Sequence, residues 1–258
     1  MDSSTPKQAP GSAQAEPAAW QIPAYALYGL LTWIVFAVCA MLAVLAVLVL
    51  PGVDRRRRAA SAIARGFLWV VGMPLRRLHL ERLPAGQCVV VANHASYLDG
   101  LVMKAALPPR FNYVVKREMD GVPLAGLLLR RIGTEFVDRF DRHKGASDAR
   151  RVLRTAKSGQ SLVFFPEGTF RNEPGLLRFH SGAFATAVRA GCPVVPAVIR
   201  GTRRVLPGSR LLPHWGAIEV EFLDPVSVQE SDGEDAAAQL RDRARAAILT
   251  RLDEPDAG

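Results

Sequence analysis

The amino-acid sequence predicts an α/β fold, a mixed, largely parallel sheet flanked by helices, with an N-terminal transmembrane helix. Two observations predict the sheet: short apolar runs recur after Arg82, and helical stretches lie between them. Because strands and helices alternate, helices cover the faces of the sheet and at least some strands are parallel. A third observation predicts the membrane helix, since no charged residue occurs from Ala24 to Leu50. The length of 258 residues allows one good-sized core.

Residues 1–22 are predicted to be a disordered tail, because they are rich in Ala, Pro, Ser and Gln. Residues 23–52 are predicted to hold the transmembrane helix, since about 27 helical residues reach roughly 40 Å and the hydrocarbon core is about 30 Å thick. Tyr25, Tyr28 and Trp33 lie toward its first end, where an interfacial aromatic belt is expected. A cleaved signal peptide is the alternative, but the apolar run is too long and the residues before it are not basic.

Four consecutive arginines, Arg55 to Arg58, follow this apolar run. By the positive-inside rule they predict a single-pass protein of the inner membrane, with the N-terminus outside and the rest of the chain in the cytoplasm. Residues 53–80 are therefore predicted to be a basic juxtamembrane segment. Within it, residues 59–75 form either an interfacial helix, with Trp69 at headgroup level, or the buried first helix of the soluble domain.

The soluble domain is predicted to span residues 81–258. Its strands are predicted at 87–92, 112–115, 161–165, 193–199 and 217–222, where the sequence is apolar. Helices are predicted at about 123–131, 145–158 and 182–191, with Gly191 ending the last as a C-cap residue. A further amphipathic helix is predicted at about 234–252, with Leu240, Ala244, Ile248 and Leu252 on one side.

Charge and cysteine usage narrow the class of partner and of site. The net charge of +9 indicates an anionic partner, which is a phospholipid surface, a phosphorylated substrate or a nucleic acid. The nucleic-acid interpretation is the weaker one, because the arginine run is explained by its place beside a membrane helix. The three cysteines are scattered, which argues against a disulfide framework and a zinc site and fits a reducing compartment.

His94 follows the predicted strand at 87–92, and Asp99 comes five positions later. A neutral imidazole can accept a proton, and a carboxylate on its other nitrogen fixes the tautomer and steadies the imidazolium. On one continuous helix the two side chains would stand roughly 140° apart. They meet only if the chain turns between them, with His94 in a loop and Asp99 in the first helical turn. The alternative is structural, because Ser96-x-x-Asp99 also has the pattern of a capping box.

Three further segments accompany this pair: Gly133–Arg139, Ser161–Thr169, which contains Phe-Pro-Glu-Gly-Thr, and Val194–Val198. In this order the four blocks resemble the glycerolipid acyltransferase family, whose best-known members are the 1-acylglycerol-3-phosphate acyltransferases. The resemblance covers approximately residues 85–225. It implies that His94 is a general base oriented by Asp99 and that the acyl group passes directly from donor to acceptor.

The residues themselves fit that chemistry. Acyl transfer from a thioester to a hydroxyl needs a general base and donors for the oxyanion, both of which a histidine and backbone amides can supply. The chain contains no Gly-x-Ser-x-Gly nucleophile elbow. A metal-dependent hydrolase with His94 and Asp99 as ligands is disfavoured, since the other histidines form no second ligand pair at a recognisable spacing.

The resemblance also implies substrate-binding residues in the second and third blocks. These candidates are Arg139, Glu167, Gly168, Thr169 and Arg171. For Arg139 the alternative is a surface ion pair with Asp138 or Asp141, and for Glu167 it is a carboxylate at a helix start.

The chain departs from the family pattern in two places. The family commonly continues Thr-Arg-Ser after the third block, whereas this chain has Thr169-Phe170-Arg171, so Arg171 stands one place late. His180 occupies a place where the family tends to have lysine or arginine. Both changes reduce the fixed positive charge expected around an acceptor phosphate, although Arg178 offers a new cation nearby.

The sequence thus predicts a membrane-bound O-acyltransferase of phospholipid biosynthesis. Its donor is acyl-CoA or acyl carrier protein, its acceptor is the free hydroxyl of 1-acylglycerol 3-phosphate, and its product is phosphatidic acid. Membrane phospholipid is a partner; no metal, bound cofactor or nucleic acid is expected. The alternative acceptors are another lysophospholipid or an aminoacyl lysolipid such as an ornithine lipid. The alternative of another class is a non-catalytic, membrane-anchored lipid-binding protein.

Overall fold

The computed structural model describes residues 22–138, 142–228, 233 and 235–258. The predicted tail, apart from Ile22, lies outside the described residues, and so does Arg139.

After two N-terminal helices and two successive strands, helices and strands alternate through the described chain. The helices are α1 (Ile22–Val49), α2 (Val53–Val70), α3 (Asp99–Ala106), α4 (Ala125–Arg131), α5 (Arg142–Lys157), α6 (Gly182–Ala190), α7 (Thr202–Val205) and α8 (Ala236–Leu249). The strands are β1 (Leu75–Leu78), β2 (Val89–Ala92), β3 (Phe111–Lys116), β4 (Glu135–Val137), β5 (Ser161–Phe164), β6 (Val194–Arg200) and β7 (Ile218–Phe222). Each predicted strand and helix overlaps an observed one, and α3 begins at Asp99, which was predicted to lie in a first helical turn; β1, β4 and α7 were not predicted as elements.

The seven strands form one sheet in the order β1-β7-β6-β2-β5-β3-β4. All neighbouring pairs are parallel except β6 and β7, which confirms the predicted mixed, largely parallel sheet. Strand β2 lies between β5 and β6, and its carboxyl end meets theirs at one edge of the sheet. Ligands of open α/β sheets bind outside this edge, so the loops after β2 and β5 are brought to the expected place for a site.

The core lies in two layers, one on each face of the sheet. Alternate residues of β2 point into opposite layers: Val90 and Ala92 into one, Val89 and Val91 into the other. The first layer is completed by α2 and α3, and the second by α5, α6 and α8. The buried positions of α8 include Leu240, Ala244 and Ile248, as the amphipathic pattern predicted.

Helix α1 is long and apolar enough to cross a membrane, and little of it is buried in the protein. It nevertheless contacts the α/β domain along its length. Tyr25 stacks on Trp215 at a ring distance of 4.4 Å, and Tyr28 Oη donates to the carbonyl of Val71 at 2.8 Å. Trp33 Nε1 donates to the carbonyl of Leu211 at 2.8 Å. The aromatic residues predicted to form an interfacial belt therefore contact the domain.

Helix α2 joins α1 to the domain, packing against α1 and α3. It buries Phe67 and Leu68 in the first core layer and leaves Trp69 81% exposed. Residues 59–70 thus belong to a helix with one face buried in the domain and with Trp69 and Val70 exposed at its end, so each of the two predicted interpretations of this segment describes one of its faces. One arginine of the basic run turns inward, since Arg57 Nε donates to the carbonyl of Ile132 at 2.8 Å.

Candidate active site

The chain turns sharply between His94 and Asp99. Strand β2 ends at Ala92 and α3 begins at Asp99, so His94 lies in the loop and Asp99 is the first residue of the helix. His94 Nδ1 is 2.8 Å from Asp99 Oδ2. The structure thus brings the two side chains together by the turn that their spacing required.

The Asp99 carboxylate is fully buried and holds the loop as well as the imidazole. Its Oδ2 accepts the backbone N–H groups of Ala95 at 2.6 Å and Ser96 at 2.8 Å. The second of these bonds is one that a capping box provides. The Ser96 hydroxyl instead accepts the N–H of Leu98 and donates to the carbonyl of Leu206. The Asp99 carboxylate therefore makes both the contact expected of a capping residue, with the Ser96 N–H, and the contact expected of a residue that orients the imidazole.

The His94 imidazole lies against two aromatic rings, and its side chain is 21% exposed. Phe165 stacks on it at a ring distance of 4.5 Å, and Phe170 contacts it edge-on at 4.8 Å. Because Asp99 only accepts hydrogen bonds when ionised, we assign the proton to Nδ1, which leaves Nε2 as the free acceptor. A substrate hydroxyl that reaches Nε2 can give up its proton there.

Asn93 fixes the strand end before the histidine. Its Nδ2 donates to the carbonyl of Ile199 at 3.0 Å, and its Oδ1 accepts the N–H of Ile199 at 2.7 Å. This pair of bonds joins the end of β2 to β6. Asn93, Phe165 and Phe170 were not identified from the sequence as residues of the site, because their contacts join parts of the chain that are far apart in sequence. For Phe170 alone the sequence gave a hint, since it stands where the family commonly has arginine.

Glu167 lies beside His94, but both of its carboxylate oxygens bind backbone amides. Oε1 accepts the N–H of His94 at 2.6 Å, and Oε2 accepts the N–H of Leu177 at 2.8 Å. The residue is 4% exposed. Burial raises the pKa of Glu167 to about 7, against the opposing effect of the two amide bonds. Glu167 therefore ties the loop after β2 to the segment after β5.

The remaining residues of the third block lie in the loop that leaves Phe165. Gly168 has a φ of 77°, a left-handed conformation that favours glycine, and donates its N–H to the carbonyl of Phe165. Thr169 and Arg171 are exposed. Phe170, which stands where the family commonly has arginine, packs against His94 and Tyr97. The residue next to the imidazole in this loop is thus aromatic and uncharged.

The structure describes the second block, Gly133–Arg139, as far as Asp138. The N–H of Asp138 donates to Asp148 Oδ2 at 2.8 Å, and Asp148 also binds Arg117 and Arg151. This network holds the end of β4 in place. The predicted contact of Arg139 with a substrate lies outside the described residues.

An apolar cavity of about 400 Å³ adjoins the catalytic loop at Tyr97 and Leu98. It lies between α1, α2, α3 and α4, and nearly all of its lining is aliphatic or aromatic. Lys104 is the charged residue of this lining, with Nζ 5.2 Å from the centre of the Tyr113 ring. Burial lowers the pKa of Lys104 to about 8. A cavity of this composition can hold an alkyl chain beside His94.

Comparison with known proteins matches the part of the chain that carries the four blocks. A family model described as Acyltransferase matches residues 76–200, which contain all four blocks. The 1-acyl-sn-glycerol-3-phosphate acyltransferase of Salmonella typhimurium is 33% identical over 190 residues, covering 71% of this chain and 76% of the relative. The lyso-ornithine lipid O-acyltransferase of Pseudomonas aeruginosa is 32% identical over 224 residues, covering 78% and 83%. The chain spans about half the length of the chloroplast relatives it also matches.

A solved structure of a similar protein has the same fold. The crystal structure of the 1-acyl-sn-glycerophosphate (LPA) acyltransferase PlsC from Thermotoga maritima superimposes with a TM-score of 0.69. It covers 90% of this chain and 99% of its own at 20% sequence identity. At this identity the likeness concerns the fold.

Proposed function

Because the chain belongs to the glycerolipid acyltransferase family, we propose that it moves a fatty acyl chain from acyl-CoA or acyl carrier protein to 1-acylglycerol 3-phosphate, forming phosphatidic acid. The observation that carries the proposal is the 2.8 Å contact between His94 Nδ1 and the buried Asp99 carboxylate. This contact adjoins a cavity that fits an alkyl chain.

The reaction follows from the free Nε2 of His94. That nitrogen takes the proton of the lysolipid hydroxyl while the oxygen attacks the thioester carbon, which gives a tetrahedral oxyanion. Asp99 stabilises the imidazolium that forms. Collapse of the oxyanion breaks the carbon–sulfur bond, and the imidazolium returns its proton to the leaving thiolate. The products are the ester and the free thiol.

A second acceptor is favoured by one specific observation. Phe170, rather than an arginine, lies against the imidazole, so this loop brings no cation to the place next to His94. An acceptor without a phosphate fits such a loop, and a relative named for a lyso-ornithine lipid acceptor covers most of the chain. Lyso-ornithine lipid is therefore the alternative acceptor.

Membrane association is part of the proposal. The outward face of α1, which includes Leu31, Met41 and Leu45, is exposed and apolar, and Trp69 and Leu211 are exposed close to it in the fold. We propose that this face contacts the bilayer and that the α/β domain faces the cytoplasm. A single crossing with the first half of α1 beyond the bilayer would require the contacts of Tyr25, Tyr28 and Trp33 with the domain to break.

Labelling decides between these arrangements of α1. In a variant without native cysteines, Ile22→Cys is treated with a membrane-impermeant maleimide in intact cells and after lysis. Reaction in intact cells supports the single crossing. Reaction only after lysis places both ends of α1 on the cytoplasmic side.

The activity is tested with purified protein in detergent, labelled acyl-CoA or acyl carrier protein, and a panel of lysolipids. Wild type is compared with His94→Ala and with the control His79→Asn, which alters an exposed histidine outside the site. Label in phosphatidic acid with wild type and the control, but not with His94→Ala, is the expected result. Label in ornithine lipid would show that the protein uses the alternative acceptor, lyso-ornithine lipid. No transfer from either donor would favour the non-catalytic alternative.

A further inference from the structure

A second cavity, of about 460 Å³, also borders the catalytic loop. It adjoins the loop at Ala95, whereas the apolar cavity adjoins it at Tyr97 and Leu98. Its other walls are the end of β6, α7, the loop after α7 and the segment Leu252–Glu254. The two cavities share no lining residue, and His94 lies in the loop that both of them contact.

The lining of this second cavity is rich in arginine. Two of its arginines are held by carboxylates: Arg200 by Glu219 and Glu221, and Arg203 by Glu254. The other two, Arg204 and Arg210, are exposed and form no ion pair with a carboxylate among the described residues. Besides Glu254, the lining has one further carboxylate, Asp253. The cavity therefore has more cations than its own acids neutralise.

The walls of the cavity are held in place. Arg203 binds Glu254 through two nitrogens, each at 2.8 Å, and also donates to the carbonyls of Arg171 and Asn172. Glu254 accepts the N–H of Gly175 as well. A bidentate pair of this kind fixes geometry as well as charge. The arginine-rich wall is thus joined to the loop that carries Phe170.

One buried hydroxyl on the lining is left without a partner. The residue Thr202 is fully buried, and its Oγ1 forms no hydrogen bond among the described residues.

The Ser96 hydroxyl of the catalytic loop donates to the carbonyl of Leu206, which follows α7. The cavity therefore keeps a fixed position relative to His94.

We propose that this cavity binds the phosphate of the phosphopantetheine group that carries the acyl chain, with Arg204 and Arg210 as the cationic contacts. An acyl thioester has a polar, phosphorylated carrier on one side of the reacting carbon and an apolar chain on the other. The two cavities match these two halves, and the loop that carries His94 borders both of them. Guanidinium groups bind phosphate by charge-assisted hydrogen bonds. The inference rests on the proposed function, whose donors, acyl-CoA and acyl carrier protein, share this phosphate.

The test compares two donors that differ only in that phosphate, acyl-4′-phosphopantetheine and acyl-pantetheine, with the full-length enzyme. Wild type should show a KM for the phosphorylated donor roughly tenfold lower or more. In the double variant Arg204→Gln/Arg210→Gln this preference should disappear, while the KM for lysolipid and the kcat with acyl-pantetheine stay within about twofold. The matched control, Arg150→Gln/Arg189→Gln, removes two exposed arginines of α5 and α6 and should keep the preference.

The possible outcomes distinguish failure of the proposed phosphate site from failure of the proposed acyltransferase activity. Transfer by wild type with equal KM for the two donors, or an unchanged preference in the double variant, overturns the phosphate site and leaves the proposed function standing. An effect of the double variant with acyl carrier protein alone also overturns it, since the arginines would then bind the carrier protein's surface. Equal loss with acyl-CoA and acyl carrier protein supports it. If wild type uses none of the four donors, the proposed function fails and the phosphate site fails with it.

Discussion

The side chain of Glu167 accepts the backbone N–H of His94 at 2.6 Å. Its other oxygen accepts the N–H of Leu177, and the residue is only 4% exposed, so both oxygens bind backbone amides and little of the carboxylate is open to a substrate. Strands β2 and β5 are neighbours, and this bond joins the loops that follow them. We infer that Glu167 is a positioning residue, which sets the backbone of His94, rather than a residue that binds the acceptor.

Glu167→Gln should lower kcat by roughly ten- to a hundredfold, because an amide presents an N–H donor to one of the two backbone N–H groups and the loop must shift. The KM for the acceptor should stay within about twofold, as measured by steady-state kinetics. The control is Glu173→Gln, which changes an exposed glutamate in the same segment. A raised KM at unchanged kcat would return Glu167 to the acceptor-binding role that the family resemblance implies.

The same residue should give the stability a pH dependence. Burial raises the pKa of Glu167 to about 7 from an ordinary 4.5, so the folded state binds more protons than the unfolded state between these values. The folding free energy of wild type should therefore become less favourable, relative to Glu167→Gln, as pH rises from about 4.5 to 7. Denaturant unfolding in detergent at a series of pH values measures this difference, and parallel curves would contradict it.

Asp99→Asn should lower kcat by roughly 10³- to 10⁴-fold, by analogy with other carboxylate–histidine pairs, because it no longer fixes the tautomer or stabilises the imidazolium. Since the two side chains act as a unit, His94→Ala/Asp99→Asn should be no slower than His94→Ala alone. Melting temperatures separate this effect from loss of the loop contacts to Ala95 and Ser96. A rate near that of wild type would leave Asp99 with the capping role only.

The central strands could be predicted from the sequence because strands buried on both faces are continuous apolar runs. In β2 all four residues from Val89 to Ala92 are buried. The two strands that were missed, β1 and β4, lie at the edges of the sheet. Strand β1 reads Leu-Arg-Arg-Leu with both arginines exposed, and β4 has only three residues. Edge strands are short and charged, so composition does not distinguish them from loops.

The His94–Asp99 pair could be predicted for a different reason: its two members are only five positions apart, and the strand before them fixes where the chain must turn. The contacts that complete the site join distant parts of the chain, as Asn93 does with Ile199, 106 residues away. Only the folded sheet brings these residues together. The same holds for α1, whose Trp33 was assigned to a membrane interface from its position and whose hydrogen bond to Leu211, 178 residues away, no local pattern predicts.

Lys104→Met should stabilise the protein near neutral pH, because a half-buried ammonium with no carboxylate partner among the described residues is replaced by an apolar chain of similar length. The pKa of Lys104 is lowered to about 8 from 10.5, so its charge opposes folding most strongly below about pH 8. The unfolded state binds more protons between these values, and wild type should regain stability relative to the variant as pH rises from 8 to 10.5. Denaturant unfolding measures the difference. The control Lys157→Met alters an exposed lysine, and a similar curve for both variants would contradict the assignment.

Phe170→Arg should shift the choice of acceptor toward phosphate. Phe170 lies at a ring distance of 4.8 Å from His94, so an arginine there would bring to the site a guanidinium that can bind a phosphate next to the reacting hydroxyl. We expect the ratio of kcat/KM for 1-acylglycerol 3-phosphate to that for lyso-ornithine lipid to rise roughly tenfold.

The control is Phe170→Leu, which removes the ring contacts with His94 and Tyr97 but adds no charge. Any loss of kcat that comes from looser packing of the imidazole should appear in both variants and with both acceptors. Only the arginine should change the ratio between acceptors, since only the phosphate distinguishes them at this position. If both variants change the ratio equally, residue 170 packs the base and does not face the headgroup of the acceptor.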